Sequence, residues 1–132
     1  MNILIYCPDE EEKIGRLMGV VRRSIGSPII KICHDLDQLF LALRQYDTNW
    51  DVFMGLISSN RELDELNRLD PITRDLRLIL ILMDQSKEII ENALRLRPSF
   101  FTDYQTGMDE VYEVLSHLSS KHKQFNSIEK AP

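Results

Sequence analysis

Residues 78–83 read LILILM, an unbroken apolar run between Arg77 and Asp84. A run this short, without the alternation of a half-exposed strand, is typical of a β-strand buried on both faces. It is too short to span a bilayer. A strand of this kind belongs in a parallel sheet that is covered by helices on each side. The rest of the chain is therefore expected to supply neighbouring strands and covering helices.

Four further stretches have the composition of strands, and helical patterns separate them. The predicted strands are residues 2–7, 29–33, 52–57 and, more weakly, 100–104. Apolar residues recur at helical spacing between these stretches and after the last one. Strict alternation of this kind implies a parallel sheet with right-handed crossovers. We predict an α/β, flavodoxin-like three-layer sandwich with five parallel strands in the order 2-1-3-4-5.

Polar residues mark the expected helix starts. Residues 58–60 and Ser86 precede helical patterns and predict N-caps. Thr106 and Asp109 have the spacing of a capping box, with Asp in the place of the usual Glu. These signals place the starts of the third, fourth and fifth helices.

The first predicted helix carries two features besides its apolar stripe. Gly15 and Gly19 lie one turn apart, and we expect them to admit close backbone packing. Arg22 and Arg23, near its end, are expected to lie on solvated surface.

Length and composition describe one domain. The chain has 132 residues, of which 43% are hydrophobic and 28% charged. We assign residues 1–121 to the domain and 122–132 to a polar C-terminal tail or linker. A net charge of −5 argues against nucleic acid as a partner. Because no signal peptide or membrane segment is visible, we predict a cytoplasmic protein without membrane contact.

Two cysteines are too few for a disulfide framework. In the predicted strand order Cys7 and Cys33 lie on adjacent strands, where a reversible disulfide is conceivable. Burial of both as small apolar side chains is the favoured interpretation.

The order of elements resembles the receiver (CheY-like) domain of two-component response regulators. Residues 2–10, NILIYCPDE, resemble that family's opening strand and acidic turn, and residues 50–56, WDVFMGL, resemble its third strand. The resemblance extends to about residue 121 and implies the receiver fold and a role in signalling. In receivers, two acids after the first strand hold Mg²⁺, and an Asp at the end of the third strand accepts a phosphoryl group. A Thr or Ser ends the fourth strand, and a Lys ends the fifth.

Every position that matches the receiver site is altered in this chain. The acid pair falls on Cys7 and Pro8, and the phospho-acceptor falls on Leu56. The hydroxyl falls on Leu82 or Met83, and the lysine falls on Asp103. Leucine cannot be phosphorylated, and thiol and proline side chains are poor ligands for Mg²⁺. Asp103 offers no cation to neutralise a phosphoryl group. The resemblance therefore implies a degenerate receiver-like signalling module that acts by protein–protein interaction without aspartyl phosphorylation. We expect no enzymatic activity, cofactor or metal.

Two alternatives remain open at this stage. Asp9 and Asp84, with Glu10 and Asp103 nearby at the same edge of the sheet, could leave a residual acidic edge. An unconventional response-regulator receiver could bind a cation or phosphate through these displaced acids. The other alternative is a small-ligand-binding flavodoxin-like protein, for which the chain shows no convergent acid/base set. Helix N-termini attract acids in any case, which favours the reading without a metal.

Aromatic residues near the end of the domain suggest an interface. Phe100, Tyr104 and Tyr112 could serve as anchors, since aromatic side chains are frequent at protein interfaces. The resemblance implies a surface made by the fourth helix, fifth strand and fifth helix, by which receivers often form homodimers. The expected partner is a signalling protein, an output domain or a second copy of the chain.

Overall fold

The computed structural model of the protein describes residues 1–8, 11–44, 49–68 and 76–130, without the side chains of Glu11 and of residues 122–130. Strands and helices alternate strictly along these residues. The strands are β1 (Asn2–Tyr6), β2 (Ile29–Cys33), β3 (Val52–Ile57), β4 (Arg77–Leu82) and β5 (Phe100–Asp103). The helices are α1 (Glu11–Ser24), α2 (Leu36–Leu43), α3 (Asn60–Asn67), α4 (Lys87–Arg95) and α5 (Met108–Lys130).

The strands form one parallel sheet in the order β2-β1-β3-β4-β5. Every residue of β3 is buried, and in β4 only Arg77 is exposed. The predicted fold class and strand order are therefore confirmed. Chain topology brings the carboxyl ends of all five strands to one edge of the sheet.

The sheet separates two apolar cores. Ile79 and Ile81 of the central run belong to the core under α1 and α5, while Leu78, Leu80 and Leu82 belong to the core under α2, α3 and α4. Burying such a side chain contributes about 1.5–3 kcal/mol. An unbroken apolar run is thus required here because consecutive side chains enter different cores.

Serine caps begin two of the helices as predicted. The Ser59 side chain accepts from the backbone N–H of Glu62 (3.4 Å) at the start of α3. The Ser86 side chain accepts from the N–H of Ile89 (3.4 Å) at the start of α4. Each bond satisfies a backbone donor that the first helical turn leaves open.

The predicted capping box at α5 is wrong. The helix begins at Met108, and the Thr106 hydroxyl instead donates to Asp103 Oδ2 (3.0 Å). The backbone N–H of Gly107 donates to the Asp103 carbonyl (2.8 Å), so a tight turn separates β5 from α5. A Cβ on Gly107 would overlap the Thr102 side chain and lie 2.7 Å from the Asp103 carbonyl oxygen. The turn therefore requires glycine.

The glycines of α1 do not pack closely against any described residue. A Cβ built on Gly15 or Gly19 meets nothing within 4 Å, and both positions are exposed. The expectation of close backbone packing is therefore wrong within the described chain, because both residues lie on the outer face of the helix.

The two cysteines lie on opposite faces of the sheet. The register pairs Tyr6 with Cys33, so Cys7 lies one residue further along. Cys7 packs in the core under α1 and α5, and Cys33 in the core under α2–α4. This geometry prevents a disulfide between them and agrees with their burial as small side chains.

Helix α5 extends to Lys130, and the division between a domain at residues 1–121 and a tail at 122–132 stays a prediction. None of the described helices is both long enough and apolar enough to cross a membrane.

Candidate functional site

The positions that match the receiver site come together at the carboxyl edge of the sheet, where apolar side chains fill the space. Leu56 lies opposite Ile81 in the β3–β4 register and is only 2% exposed. Cys7 is fully buried beside it in the core under α1 and α5. Met83 follows β4 and packs, half-buried, against the same core. Pro8 is exposed at the end of β1.

Acids at this edge bond to neighbouring groups of the chain. Asp84 is exposed, and its Oδ1 accepts from the backbone N–H of Ser86 (3.0 Å). Asp103 is half-buried, and its Oδ2 accepts from the Thr106 hydroxyl. Asp9, with Glu10, lies outside the described residues. Among the residues that are described, no group of three His, Cys, Asp or Glu side chains is placed to hold a metal ion.

A buried carboxylate at the start of α3 was not predicted from the sequence. Glu62 is 8% exposed, and its Oε2 accepts from the Tyr6 hydroxyl at 2.6 Å. Its Oε1 accepts from the backbone N–H and the hydroxyl of Ser58 (2.9 Å each) and from the Ser59 hydroxyl (3.2 Å). Burial, and then the hydrogen bond to Glu62, raise the pKa of Tyr6 well above its usual value. The Ser59-x-x-Glu62 spacing of a capping box was the available signal.

A cleft of about 540 Å³ opens above this network, between the ends of β1, β2 and β3. Its wall includes Tyr6, Phe40, Ser58, Glu62 and the Asp35 carboxylate. Asp35 caps α2 by accepting from the backbone N–H of residue 38 (2.8 Å). The hydrogen bonds around the cleft therefore join β1 to α3 through Tyr6 and Glu62 and cap the starts of α2 and α3.

The predicted interface aromatics lie mainly towards α1. Phe100 and Tyr104 are half-buried and pack against the core under α1 and α5. The guanidinium carbon of Arg16 lies 4.7 Å from the centroid of the Tyr104 ring. That of Arg23 lies 5.8 Å from the centroid of Tyr112, whose side chain is 40% exposed. Arginines of α1 thus cover one side of two of the three predicted anchors.

Comparison with known proteins places this geometry in a fold family. No protein-family model matches the sequence, and no curated protein sequence matches it. A response regulator from Thermotoga maritima superimposes with a TM-score of 0.69 at 11% identity, over 90% of this chain and 97% of that chain. The chain has the response-regulator receiver fold.

Two further structures share this receiver fold. A candidate pilus assembly-related protein from Burkholderia pseudomallei gives a TM-score of 0.72 at 17% identity, over 91% of this chain and 90% of that one. An atypical orphan response regulator, for which a phosphorylation-independent regulatory mechanism is named, gives a TM-score of 0.69 at 10% identity. The match covers 91% of this chain and 96% of that one. Identities this low establish the fold alone. The resemblance to receivers is therefore confirmed at the level of fold.

At the carboxyl edge, this chain holds other side chains than those that the resemblance to receivers implies. Where the resemblance implies a phospho-acceptor carboxylate, this chain places the buried side chain of Leu56. Where it implies an ammonium group, the chain places the carboxylate of Asp103. Apolar and thiol side chains beside Leu56 supply none of the oxygen ligands that Mg²⁺ prefers.

Proposed function

We propose that the protein is a degenerate receiver-like signalling module of the cytoplasm, which acts by protein–protein interaction without aspartyl phosphorylation or enzymatic activity. One observation carries the proposal: Leu56, at the matched phospho-acceptor position, is 2% exposed and belongs to the apolar core. A group that accepts phosphate must be reachable by the donor and lie beside cationic charge. Leu56 offers no nucleophile, and Cys7 and Met83 close the space around it.

The experiment is incubation of the protein with Mg²⁺ and acetyl phosphate, followed by intact-mass measurement. We expect no phosphoryl adduct. A receiver domain with the complete site serves as the positive control. A hydroxylamine-labile adduct would contradict the proposal. The variants Asp84→Asn and Asp103→Asn would then identify the acid responsible and so test the alternative of an unconventional receiver. BeF₃⁻ with Mg²⁺, followed by NMR, checks binding without covalent transfer.

Self-association is the second part of the proposal. We propose a homodimer through the surface of α4, β5 and α5, supported by the exposure of Leu94 (49%) on α4. A large apolar side chain exposed on such a surface is typical of an interface. Sedimentation equilibrium should show a dimer that Leu94→Lys converts to monomer. Leu41→Lys, at another exposed leucine on α2, is the matched control and should leave the dimer intact. A monomeric wild-type protein would remove this part.

The likeness to the Burkholderia protein favours a second candidate function. That protein is described as pilus assembly-related, so we propose as the second candidate that this module docks within a surface-appendage assembly machinery. Deletion of the gene in its source organism, with pili counted by electron microscopy, tests the idea. Loss of pili supports it, whereas normal piliation together with altered signalling output supports the first candidate.

The cleft beside the buried Glu62 is a candidate site for a small ligand. Its carboxylate already accepts four hydrogen bonds from Tyr6, Ser58 and Ser59. A ligand would have to displace them at a cost of about 1–3 kcal/mol for each unsatisfied group. We therefore do not adopt this alternative.

A further inference from the structure

Two arginine–tyrosine pairs are built alike on the surface shared by α1 and α5. Arg16 lies over Tyr104 and Arg23 over Tyr112, with guanidinium carbons 4.7 and 5.8 Å from the ring centroids. Seven residues separate the arginines, which places them on the same helix face, roughly 10 Å apart along the axis. We call these four residues the arginine–tyrosine surface.

The two guanidinium groups remain available to a partner. Both arginines are exposed, and neither forms an ion pair within the described part of the chain. One N–H of Arg23 is already used, because its Nε donates to the carbonyl of Gly19 (3.3 Å). A guanidinium held against a tyrosine ring keeps its other N–H groups directed outward. Such a group is suited to a carboxylate, with which it can form two parallel hydrogen bonds.

Beside the pairs, two glycines leave the backbone of α1 uncovered by side chains. Gly15 and Gly19 have nothing within 4 Å of a built Cβ. Each glycine in a helix interior costs about 0.5–1 kcal/mol relative to alanine. No packing within the described chain uses their small size. They leave the α1 backbone open to a second helix between the charged side chains.

We propose that the arginine–tyrosine surface docks an acidic helical segment of a partner protein, with carboxylates two turns apart that meet Arg16 and Arg23. Charge complementarity selects this occupant. The chain carries a net charge of −5, yet the exposed charged side chains described on α1 are three arginines, Arg16, Arg22 and Arg23, and one acid, Glu12. Two stacked guanidinium groups fit two carboxylates, whereas nucleic-acid binding relies on many phosphate contacts and is opposed by the overall charge.

The inference extends the proposed interaction role but does not depend on the loss of the phosphorylation site. The probe is an alanine-based helical peptide that carries two glutamates seven residues apart. It is titrated into ¹⁵N-labelled protein without Mg²⁺ or phosphoryl donor, so its outcome is separate from the phosphorylation test. Expected shifts cluster at Gly15, Gly19, Tyr104 and Tyr112. The same peptide with glutamine in place of glutamate should produce none.

Variants establish the role of the pairs. Arg16→Gln with Arg23→Gln should weaken peptide binding by about fivefold or more. Arg44→Gln with Arg95→Gln removes the same charge from exposed arginines that lie over no aromatic ring among the described residues, and should change binding less than twofold. Circular dichroism confirms that both double variants are folded. Equal losses in the two double variants would show general charge attraction and overturn the proposal.

Further results would also overturn the proposal. These are an absence of shifts, shifts on other faces, or equal displacement of the peptide by single-stranded DNA. A last variant, Gly15→Leu with Gly19→Leu, keeps both arginines and covers the α1 backbone with two leucine side chains. Binding should fall about fivefold or more if a helix approaches the α1 backbone there. Undiminished binding would refute a docked helix.

Discussion

Replacement of Leu56 by aspartate reintroduces the carboxylate that a receiver would hold at this position. We expect Leu56→Asp to destabilise the protein severely and to remain unphosphorylated. The side chain is 2% exposed and lies among apolar groups of β1, β4 and α1. Its described neighbours at the edge, Cys7 and Met83, supply no cation, and Asp103 is itself an acid.

The magnitude follows from two losses. Removing a buried leucine side chain forfeits about 1.5–3 kcal/mol of burial. Leaving a buried charge without a partner costs about 3–5 kcal/mol. The sum, about 4–8 kcal/mol, is comparable to the whole stability of an ordinary domain. The asparagine of Leu56→Asn has nearly the same shape as aspartate but no charge. Comparing the two variants therefore separates the lost apolar burial from the cost of the buried charge.

Urea unfolding followed by the fluorescence of Trp50, the single tryptophan, measures these free energies. In an apolar site the pKa of the introduced carboxyl is raised above its unfolded value of about 4. Below that pH both states are protonated and the charge penalty disappears. As pH rises towards the folded-state pKa, the unfolded state loses its proton first, and stability is lost. The gap between the Asp and Asn variants should therefore widen from about pH 4 to about pH 7.

A small effect would refute the reasoning. If Leu56→Asp unfolds within about 0.5 kcal/mol of the wild-type protein at pH 7, position 56 is hydrated rather than apolar. If the variant also takes a phosphoryl group from acetyl phosphate, the edge retains a working site despite its altered residues. Either result would remove the observation on which the proposed function rests.

Three further predictions concern groups placed by the fold. Tyr6→Phe should cost about 1–3 kcal/mol by leaving Glu62 short of a donor. Because the fold raises the pKa of Tyr6, the unfolding free energy of the wild-type protein should fall above about pH 10, whereas that of Tyr6→Phe should change less. The same dependence on pH in both proteins, measured by urea unfolding, would contradict this. Gly107→Ala should destabilise the protein by about 1–3 kcal/mol, whereas Gly19→Ala should stabilise it by about 0.5–1 kcal/mol. Melting temperatures that change in the same direction in both variants would contradict this prediction. Arg97→Gly should stabilise the protein by about 1 kcal/mol, because glycine adopts the φ of 52° found at this position without strain. A lower melting temperature would contradict this prediction.

Local patterns were enough to predict the sheet. The run at residues 78–83 needs apolar cover on both faces, and each neighbouring strand has a similar requirement, so alternation with helices left one favoured topology. The N-cap at Ser86 was equally local, since it depends on a side chain and an N–H three residues away. The capping box at Thr106 failed because the helix begins one residue later than the pattern predicted, at Met108, so Gly107 precedes its first residue and its carbonyl accepts from the backbone N–H of Val111.

Contacts between distant residues could not be read from the sequence. Tyr6 and Glu62 meet across 56 positions, and their bond depends on how α3 sits on the sheet. Arg23 was predicted to be solvated and is indeed exposed, but its position over Tyr112 depends on how α1 packs against α5. The match of Leu56 to the phospho-acceptor position stays a prediction from the resemblance, whereas its burial depends on packing and is seen only in the structure.

Cys7 and Cys33 offer a way to watch the two halves of the interior separately. Each sulfur is shielded by a different helical layer, Cys7 by α1 and α5 and Cys33 by α2–α4. A thiol-labelling reagent added to the native protein can reach either sulfur only when its own layer lifts. Burial also raises the pKa of the Cys33 thiol, which lowers its reactive thiolate fraction. Rates of labelling at the two positions, corrected for intrinsic reactivity, therefore report the opening of each layer without any introduced probe.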